Sequence, residues 1–134
     1  MTIYGLFVEH TQAYQTVWNG ERGRLYFYQS EMPYDPPEQA AWRSPAGDGF
    51  ASYKVGKDVQ AHEAWGLGVY HVFQKAAVVA ERALETPTGP GIRINHALTF
   101  RLGGGKPGSG IRHVINDQGS EVITSQKATI DTYP

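Results

Sequence analysis

The stretch from Gly5 to Pro37, GLFVEHTQAYQTVWNGERGRLYFYQSEMPYDPP, alternates aromatic and aliphatic runs with turn residues. Such runs, bounded by Asn-Gly and by prolines, are typical of β-strands. Two acidic residues stand in these strand-like surroundings, since Glu9 follows an LFV run and Glu31 comes shortly after YFY. A carboxyl group beside aromatic and aliphatic surface loses hydration and therefore holds its proton more tightly. The stretch predicts β-structure and two candidate proton donors.

Similar short runs recur along the rest of the chain. Most have four to eight residues and are rich in Val, Ile, Tyr and Phe, with Gly, Asn, Asp or Pro at their ends. They predict an all-β chain, with surface loops in the proline-rich residues 33–49 and the glycine-rich residues 103–110. The predicted strands are Ile3–Val8, Tyr14–Trp18, Arg24–Gln29, Ser52–Val55, Gly66–Phe73, Ile92–Leu102, Ile111–Asn116 and Glu121–Thr124.

One segment departs from the strand pattern. Residues 74–85, QKAAVVAERALE, are alanine-rich and contain no Gly or Pro, and Ala77, Ala80 and Leu84 fall on one stripe at helical spacing. The segment predicts a short helix of about three turns. It would end before the Thr-Pro that follows, because proline disfavours helical backbone in the residue before it.

The length of 134 residues predicts a single domain over residues 1–134. Twelve Lys and Arg residues against 13 Asp and Glu residues give no reason to expect nucleic acid or a membrane as partner, so a neutral ligand suits the chain. The first residues, MTIYGLFVEH, do not predict a secretory signal.

Aromatic residues make up 12% of the chain and charged residues only 19%, a balance found in extracellular β-rich and carbohydrate-handling domains. No cysteine is present, which excludes disulfides and thiolate chemistry. No two of the five histidines have the spacing of a helical zinc site, so neither a metal site nor another cofactor is predicted.

Two architectures fit many short strands. One is a β-sandwich of antiparallel hairpins, and the other is a parallel β-helix whose coils stack along an axis. Only Asn19-Gly20 and residues 117–119 carry tight hairpin signals, whereas linkers of ten to twenty residues recur between other strands. Linkers of that length favour the β-helix and leave the sandwich as the alternative.

Several blocks carry a family resemblance: GLFVEH, YQTVWNGERGRLYFYQSEMPYDPP, SYKV, HEAWGLGVYHVF, ERALETP and the RHVIND tail. In these blocks the chain resembles the C-terminal part of glycoside hydrolase family 55, the exo-acting β-1,3-glucanases. The resemblance implies a right-handed parallel β-helix, an extracellular location and inverting hydrolysis of laminarin-like β-glucan or a similar neutral polysaccharide.

The resemblance also implies site residues. Glu31 matches the general acid of the family, and Glu9 matches a second acidic residue near the catalytic centre. Their separation of 22 residues is about one coil of a β-helix, which would place them on adjacent rungs ~4.8 Å apart. Two carboxyl groups that close cannot both ionise easily, so one of them should keep a proton near neutral pH.

Each assignment has a structural alternative. Glu31 could be a loop residue that hydrogen-bonds backbone near Pro33, and Glu9 a buried residue satisfied by a neighbouring Tyr or His. Tyr34 and Trp42 are predicted to bind substrate, because they lie in the proline-rich loop that follows Glu31. The other aromatic residues weighed for this role, Trp18 and Trp65, are assigned to the core.

The family enzymes carry two β-helix halves with a cleft between them, and this chain resembles only the last part. The residues that position the attacking water in the family therefore have no counterpart here. A first rung near Ile3–Val8 would also present an open edge. The sequence thus predicts a homo-oligomer, or association with a missing N-terminal half, and keeps a non-catalytic glycan-binding or self-assembling fragment as the alternative function.

Overall fold

A computed structural model describes residues 1–134 as strands joined by turns and loops, with no helix. The eleven strands are β1 (Thr2–Glu9), β2 (Thr16–Trp18), β3 (Gly23–Glu31), β4 (Arg43–Ser44), β5 (Gly47–Asp48), β6 (Tyr53–Val55), β7 (His62–His71), β8 (Val79–Glu85), β9 (Ile92–Arg101), β10 (Gly110–Ile115) and β11 (Lys127–Tyr133). No helix of a length and hydropathy that would cross a membrane is found.

The strands form two main sheets. The order in the first sheet is β1-β3-β7-β9-β11, and that in the second is β10-β8-β6-β2. Every pair in the two sheets is parallel except β9 with β11. The chain passes from β1 to β2, from β3 by way of β4 and β5 to β6, from β7 to β8 and from β9 to β10, so it alternates between the two sheets in coils, which is consistent with a β-helix. The short strands β4 and β5 form a separate antiparallel pair.

The register between coils aligns equivalent positions of neighbouring strands. Leu25 of β3 is aligned with Ala64 of β7 and Ile94 of β9, and all three are buried. Alternate residues face outward, as the pleat of a strand requires. The inward residues of both sheets form one core cluster of 25 buried residues that includes Tyr28, Tyr53, Leu67, Leu84 and Ile111.

Several buried polar side chains of the two sheets are hydrogen-bonded to one another. The Ser52 hydroxyl bonds to the Ser30 hydroxyl and lies 3.2 Å from the Tyr28 hydroxyl. Tyr53 bonds to Nε2 of buried His62 at 3.0 Å. Burying such groups costs little when they bond one another, so these contacts hold the two sheets in a fixed relation.

The helix predicted over residues 74–85 is wrong. Val79–Glu85 is strand β8, which pairs in parallel with β6 on one side and β10 on the other. Val78, Ala80, Ala83 and Leu84 are buried in the core. Helix propensity is a weak preference, and pairing with two neighbouring strands together with burial outweighs it.

Other sequence expectations also change. The predicted strand 121–124 contributes only an isolated bridge from Val122 to Ile111, whereas the last long strand is β11. Asn19-Gly20 does not form a hairpin, because it joins β2 to β3 and these strands lie in different sheets. The antiparallel sandwich is not observed, since the coils pair in parallel.

A line of left-handed residues crosses the first sheet. Gly5, Phe27, Gly66 and His96 have φ angles of 75°, 68°, 70° and 56°, and each lies between the same two aligned positions of its strand. Each of these four parallel strands carries this residue at the same position, so the register between the strands is kept on both sides of it. The left-handed residue shifts the alternation of side chains, so that Tyr4 and Phe7 both face outward on β1.

Candidate active site

The two candidate acids lie side by side at the ends of neighbouring strands. Glu9 of β1 is aligned with Glu31 of β3, which is aligned in turn with Tyr70 of β7. All three face outward from the first sheet. Glu9 is exposed, whereas the side chain of Glu31 keeps only 24% of its accessible surface. The one-coil spacing therefore brings the two residues to adjacent strands at one edge of the fold.

One carboxylate oxygen of Glu31 is held by two neighbours. Oε2 accepts a short hydrogen bond from the Tyr34 hydroxyl and lies 3.2 Å from Nε2 of His10. The His10 and Tyr34 rings contact each other, with their centroids 4.5 Å apart. Both of these contacts are made to Oε2, and neither is made to Oε1 of Glu31.

The pKa of Tyr34 shows that its hydroxyl is the donor in the hydrogen bond to Glu31. The hydrogen bond to Glu31 raises the pKa of Tyr34 to about 12, and burial and the charges of Glu31 and Glu9 add to the effect. Tyr34 therefore keeps its proton at neutral pH and donates it toward Oε2. This bond fixes the orientation of the carboxyl group, because a donor held at one oxygen restricts rotation of the side chain.

His10 was not predicted from the sequence. It follows the last residue of β1 with a left-handed φ of 64°, and its backbone N–H donates to the Glu31 carbonyl at 2.9 Å. This turn carries its imidazole to the Glu31 carboxylate. The available signal was its position beside Glu9, about one coil before Glu31, but the direction of the side chain depends on the turn.

The structure separates the two predicted substrate-binding residues. Tyr34 contacts Glu31, whereas Trp42 is only 2% exposed and packs on Phe73 with ring centroids 5.2 Å apart. The Trp42 indole N–H donates to the Gln12 carbonyl at 2.9 Å. Burial removes Trp42 from any surface that a ligand could contact, because its ring fills the space between the loops and the core.

The other two tryptophans differ in their burial. Trp18 is buried, as predicted, at 8% exposure. Trp65 is not in the core but half-buried on the outer face, where it stacks on Tyr26 at 4.9 Å and Tyr26 stacks on Tyr4 at 5.0 Å. The register explains this stack, since the three residues are aligned on neighbouring strands.

A groove runs along the outer face beside Glu31. Its larger part, about 510 Å³, is lined by residues that include Tyr70, His96, Leu98 and Phe100. A smaller part of about 190 Å³ adjoins it over Gly68 and shares three of these residues. A β-carbon at Gly68 would lie 3.0 Å from the Tyr70 ring, so glycine keeps this floor open. The groove offers apolar side chains to a ligand, and its Tyr70 is aligned with Glu31 on the neighbouring strand, although Glu31 itself does not line the groove.

Comparison with known proteins identifies relatives of the chain. The family model described as the LAM55 pectate lyase-like domain matches residues 1–31. An exo-beta-1,3-glucanase of Streptomyces sp. SirexAA-E is 40% identical over 127 residues, which cover 94% of this chain and 20% of that protein. These matches include the stretch that contains both candidate acids.

Solved structures give the same result. The structure of sacteLam55A from Streptomyces sp. SirexAA-E matches with a TM-score of 0.92 and 36% identity, covering 99% of this chain and 24% of the other. A variant of the same enzyme in complex with glucose matches with a TM-score of 0.92 and 35% identity over the same shares. The chain thus spans between a fifth and a quarter of the relatives that it matches.

Proposed function

We propose that this chain is a glycoside hydrolase-like domain similar to the family 55 exo-β-1,3-glucanases. It provides the side of a β-1,3-glucan-binding site that carries the general acid. In this proposal it forms one right-handed parallel β-helix unit over residues 1–134. Glu31 protonates the glycosidic oxygen, and Glu9 sets the charge around it. The observation that carries the proposal is the Glu31 carboxyl group, oriented by Tyr34 and His10 at the edge of the outer groove.

The geometry supports a role in proton donation. Tyr34 and His10 occupy the Oε2 side of Glu31, so Oε1 is the oxygen that can meet a substrate. Glu9 lies on the neighbouring strand and places a second carboxyl group beside the strand that carries Glu31. Pyranose rings present apolar C–H faces, which suit the Tyr70 and Phe100 side of the groove.

The proposed reaction is inverting, and this chain supplies one side of it. An inverting glycosidase needs an acid and a base separated by ~6.5 to 9.5 Å with a water molecule between them. Glu9 and Glu31 are aligned neighbours on paired strands, so we assign them to the acid side only. The base and its water would then come from chain beyond these 134 residues. We propose an extracellular location by analogy with enzymes that act on polysaccharides.

The test uses laminarin and measures both release of reducing sugar and binding. Glu31→Gln keeps the shape of the side chain and the acceptor oxygen for Tyr34, but it cannot donate a proton from a carboxyl group. We expect turnover to fall by about 10²-fold or more while laminarin binding is retained. The matched control is Glu63→Gln, which changes an outward-facing glutamate that pairs with Arg24 on the same sheet.

Turnover by Glu31→Gln equal to that of the unchanged chain would refute the assignment. Binding of laminarin without release of sugar by the chain alone fits both candidate functions, because the base is proposed to lie outside these 134 residues. The second candidate function, a non-catalytic glycan-binding module, is favoured if no sugar is released when the base-bearing part is also supplied. The exposed aromatic side chains of Tyr4, Phe7 and Phe27 on the outer face support that alternative. A chain that neither binds nor cleaves laminarin would contradict both functions.

A further inference from the structure

A second cavity, of about 190 Å³, lies where strands β7 and β9 end. Its walls come from residues 71–73, from residues 101–106 with Ser109, and from Gln126 just before β11. None of these residues lines the groove on the outer face. The volume is below the ~300 to 1,000 Å³ of pockets for drug-sized ligands and has room for roughly six water molecules. The cavity is therefore separate from the groove and suits a small ion.

The charged side chains at this cavity are all positive. Arg101 and Lys106 line it, and no Asp or Glu is among the lining residues. Neither cation takes part in a salt bridge. The Arg101 guanidinium donates to the Ile123 carbonyl at 3.0 Å, which uses one of its five N–H groups. Two unpaired cations at one small cavity attract an anion, because its charge offsets their mutual repulsion.

The glycine-rich loop beside the cavity is anchored to the end of β7. Backbone N–H groups of the loop donate to the carbonyls of His71 at 2.9 Å and of Phe73 at 2.7 Å. A β-carbon at Gly105 would lie 3.3 Å from the Phe73 carbonyl oxygen, so glycine permits this close approach. Between the two anchors, the N–H groups of Gly103 and Gly104 donate to no backbone carbonyl. Successive free N–H groups in a turn are a common means of binding an anion.

A buried histidine also lines the cavity. His71 is 1% exposed, and burial lowers the pKa of its imidazole to about 4, while the charge of Arg101 adds to the decrease. The Val122 carbonyl lies beside the ring and acts in the opposite direction, but neither ring nitrogen makes a hydrogen bond of good geometry. Buried polar atoms with incomplete hydrogen bonds are uncommon, and they often mark the position of a water molecule or an ion.

We propose that this cavity binds a small oxyanion, held by the Arg101 guanidinium, the Lys106 ammonium group and the N–H groups of Gly103 and Gly104. The oxyanion is either a free phosphate or sulfate ion or the carboxylate of an acidic sugar, since all of them present the same acceptor oxygens. The proposal goes beyond the proposed function, because a neutral β-glucan carries no such group and the cavity is separate from the groove.

The first test follows binding by NMR on the isotope-labelled chain. Sodium phosphate, sodium sulfate, sodium glucuronate or glucose is titrated in, and sodium chloride keeps the ionic strength constant so that screening does not change. We expect saturable shifts of the Gly103 and Gly104 amide signals and of the His71 ring signals with an oxyanion, and none with glucose. Tighter binding of glucuronate assigns the site to an acidic sugar, and tighter binding of phosphate or sulfate assigns it to a free ion.

The second test removes one positive charge at a time. Arg101→Gln and Lys106→Gln should each raise the dissociation constant of the oxyanion roughly tenfold or more, because each loses a charge-assisted hydrogen bond. The matched control is Arg93→Gln, which removes an exposed cation near the start of the same strand, β9, roughly 25 Å from the cavity. It should leave the dissociation constant unchanged, because that distance exceeds the Debye length of ~10 Å.

The absence of a saturable shift with every oxyanion would overturn the proposal, as would unchanged binding in both cavity variants. Equal weakening by Arg93→Gln would also overturn it, since the attraction would then come from the overall charge of the chain. Urea unfolding checks that each variant is folded. Lys106 is exposed, so its replacement tests the site without changing the core. No laminarin enters these titrations, so their outcome is independent of the glucanase assay.

Discussion

At the scale of single residues, the site depends on what surrounds Glu31. The sequence placed this glutamate after an aromatic run, but its orientation comes from Tyr34 three residues later and from His10 on the preceding coil. Two neighbours on one carboxylate oxygen restrict the side chain to one rotamer, which a general acid requires. The second contact exists only because neighbouring coils are stacked in register.

Two buried histidines give a prediction about pH. Burial lowers the pKa of both His62 and His71 to about 4, from an ordinary value of 6.5. The folded state therefore holds them neutral, whereas the unfolded chain takes up protons as the pH falls below 6.5. Stability is full above pH 6.5 and is lost as the pH falls toward 4, by about 3 kcal/mol for each histidine.

The measurement is urea unfolding between pH 7 and pH 4. His71→Leu should flatten the pH dependence, because the variant lacks the imidazole that is held neutral in the folded state and takes up a proton in the unfolded chain. His113→Leu is the control, because it removes a histidine whose side chain is a third exposed and not buried in the core. An equal slope in the His71 variant would show that other groups cause the loss.

At the scale of the elements, β8 illustrates the limit of local pattern. Residues 74–85 combine good helix formers with a spacing that fits a helical stripe as well as a strand. The strand conformation results from pairing with β6 and β10 on its two sides and from burial of Ala80, Ala83 and Leu84 in the core. Strand pairing over such sequence distances cannot be read from one segment.

The line of left-handed residues across the first sheet gives a prediction about the cost of that backbone conformation. Gly66 has a φ of 70°, and the nearest heavy atom to an added β-carbon would be 4.0 Å away, so there is space for a side chain. Gly66→Ala should still destabilise the protein by about 1 kcal/mol, because the left-handed conformation is unfavourable for alanine. Urea unfolding measures the change.

Gly89→Ala is the matched control. An added β-carbon there meets nothing within 4 Å, and Gly89 is not among the residues of positive φ. We expect a stability change close to zero or slightly favourable. If the two variants lose the same stability, the left-handed backbone is not the cause.

At the scale of the whole molecule, the two ends of the coil stack differ. At one end of the first sheet β11 pairs antiparallel with β9, whereas at the other end β1 pairs in parallel with β3. Ala128 of β11 faces the core at 7% exposure, whereas its neighbour Thr129 faces outward. Strand β11 thus packs on the core through Ala128 and through Tyr133, which is also buried.

Ala128→Lys should weaken the packing of strand β11 on the core. Burying a lysine without a partner costs several kcal/mol, so we expect destabilisation of about 3 kcal/mol or detachment of β11. Detachment would free the β9 edge and allow association between chains, which light scattering detects as an increase in mass. Thr129→Lys adds the same charge one residue away and should change neither the stability nor the mass, and loss of both in that control would contradict the role of Ala128.

The sequence by itself determined the β-rich character of the chain, the resemblance to the family 55 glucanases, and the one-coil spacing of Glu9 and Glu31. These features are local, since runs of β-branched and aromatic residues and their spacing are written along one strand or one coil. Only the tertiary structure decided that residues 74–85 contain a strand, that Trp42 is buried and that His10 contacts Glu31. Each of these depends on which strand lies beside which, and that pairing results from contacts between coils that no single segment encodes.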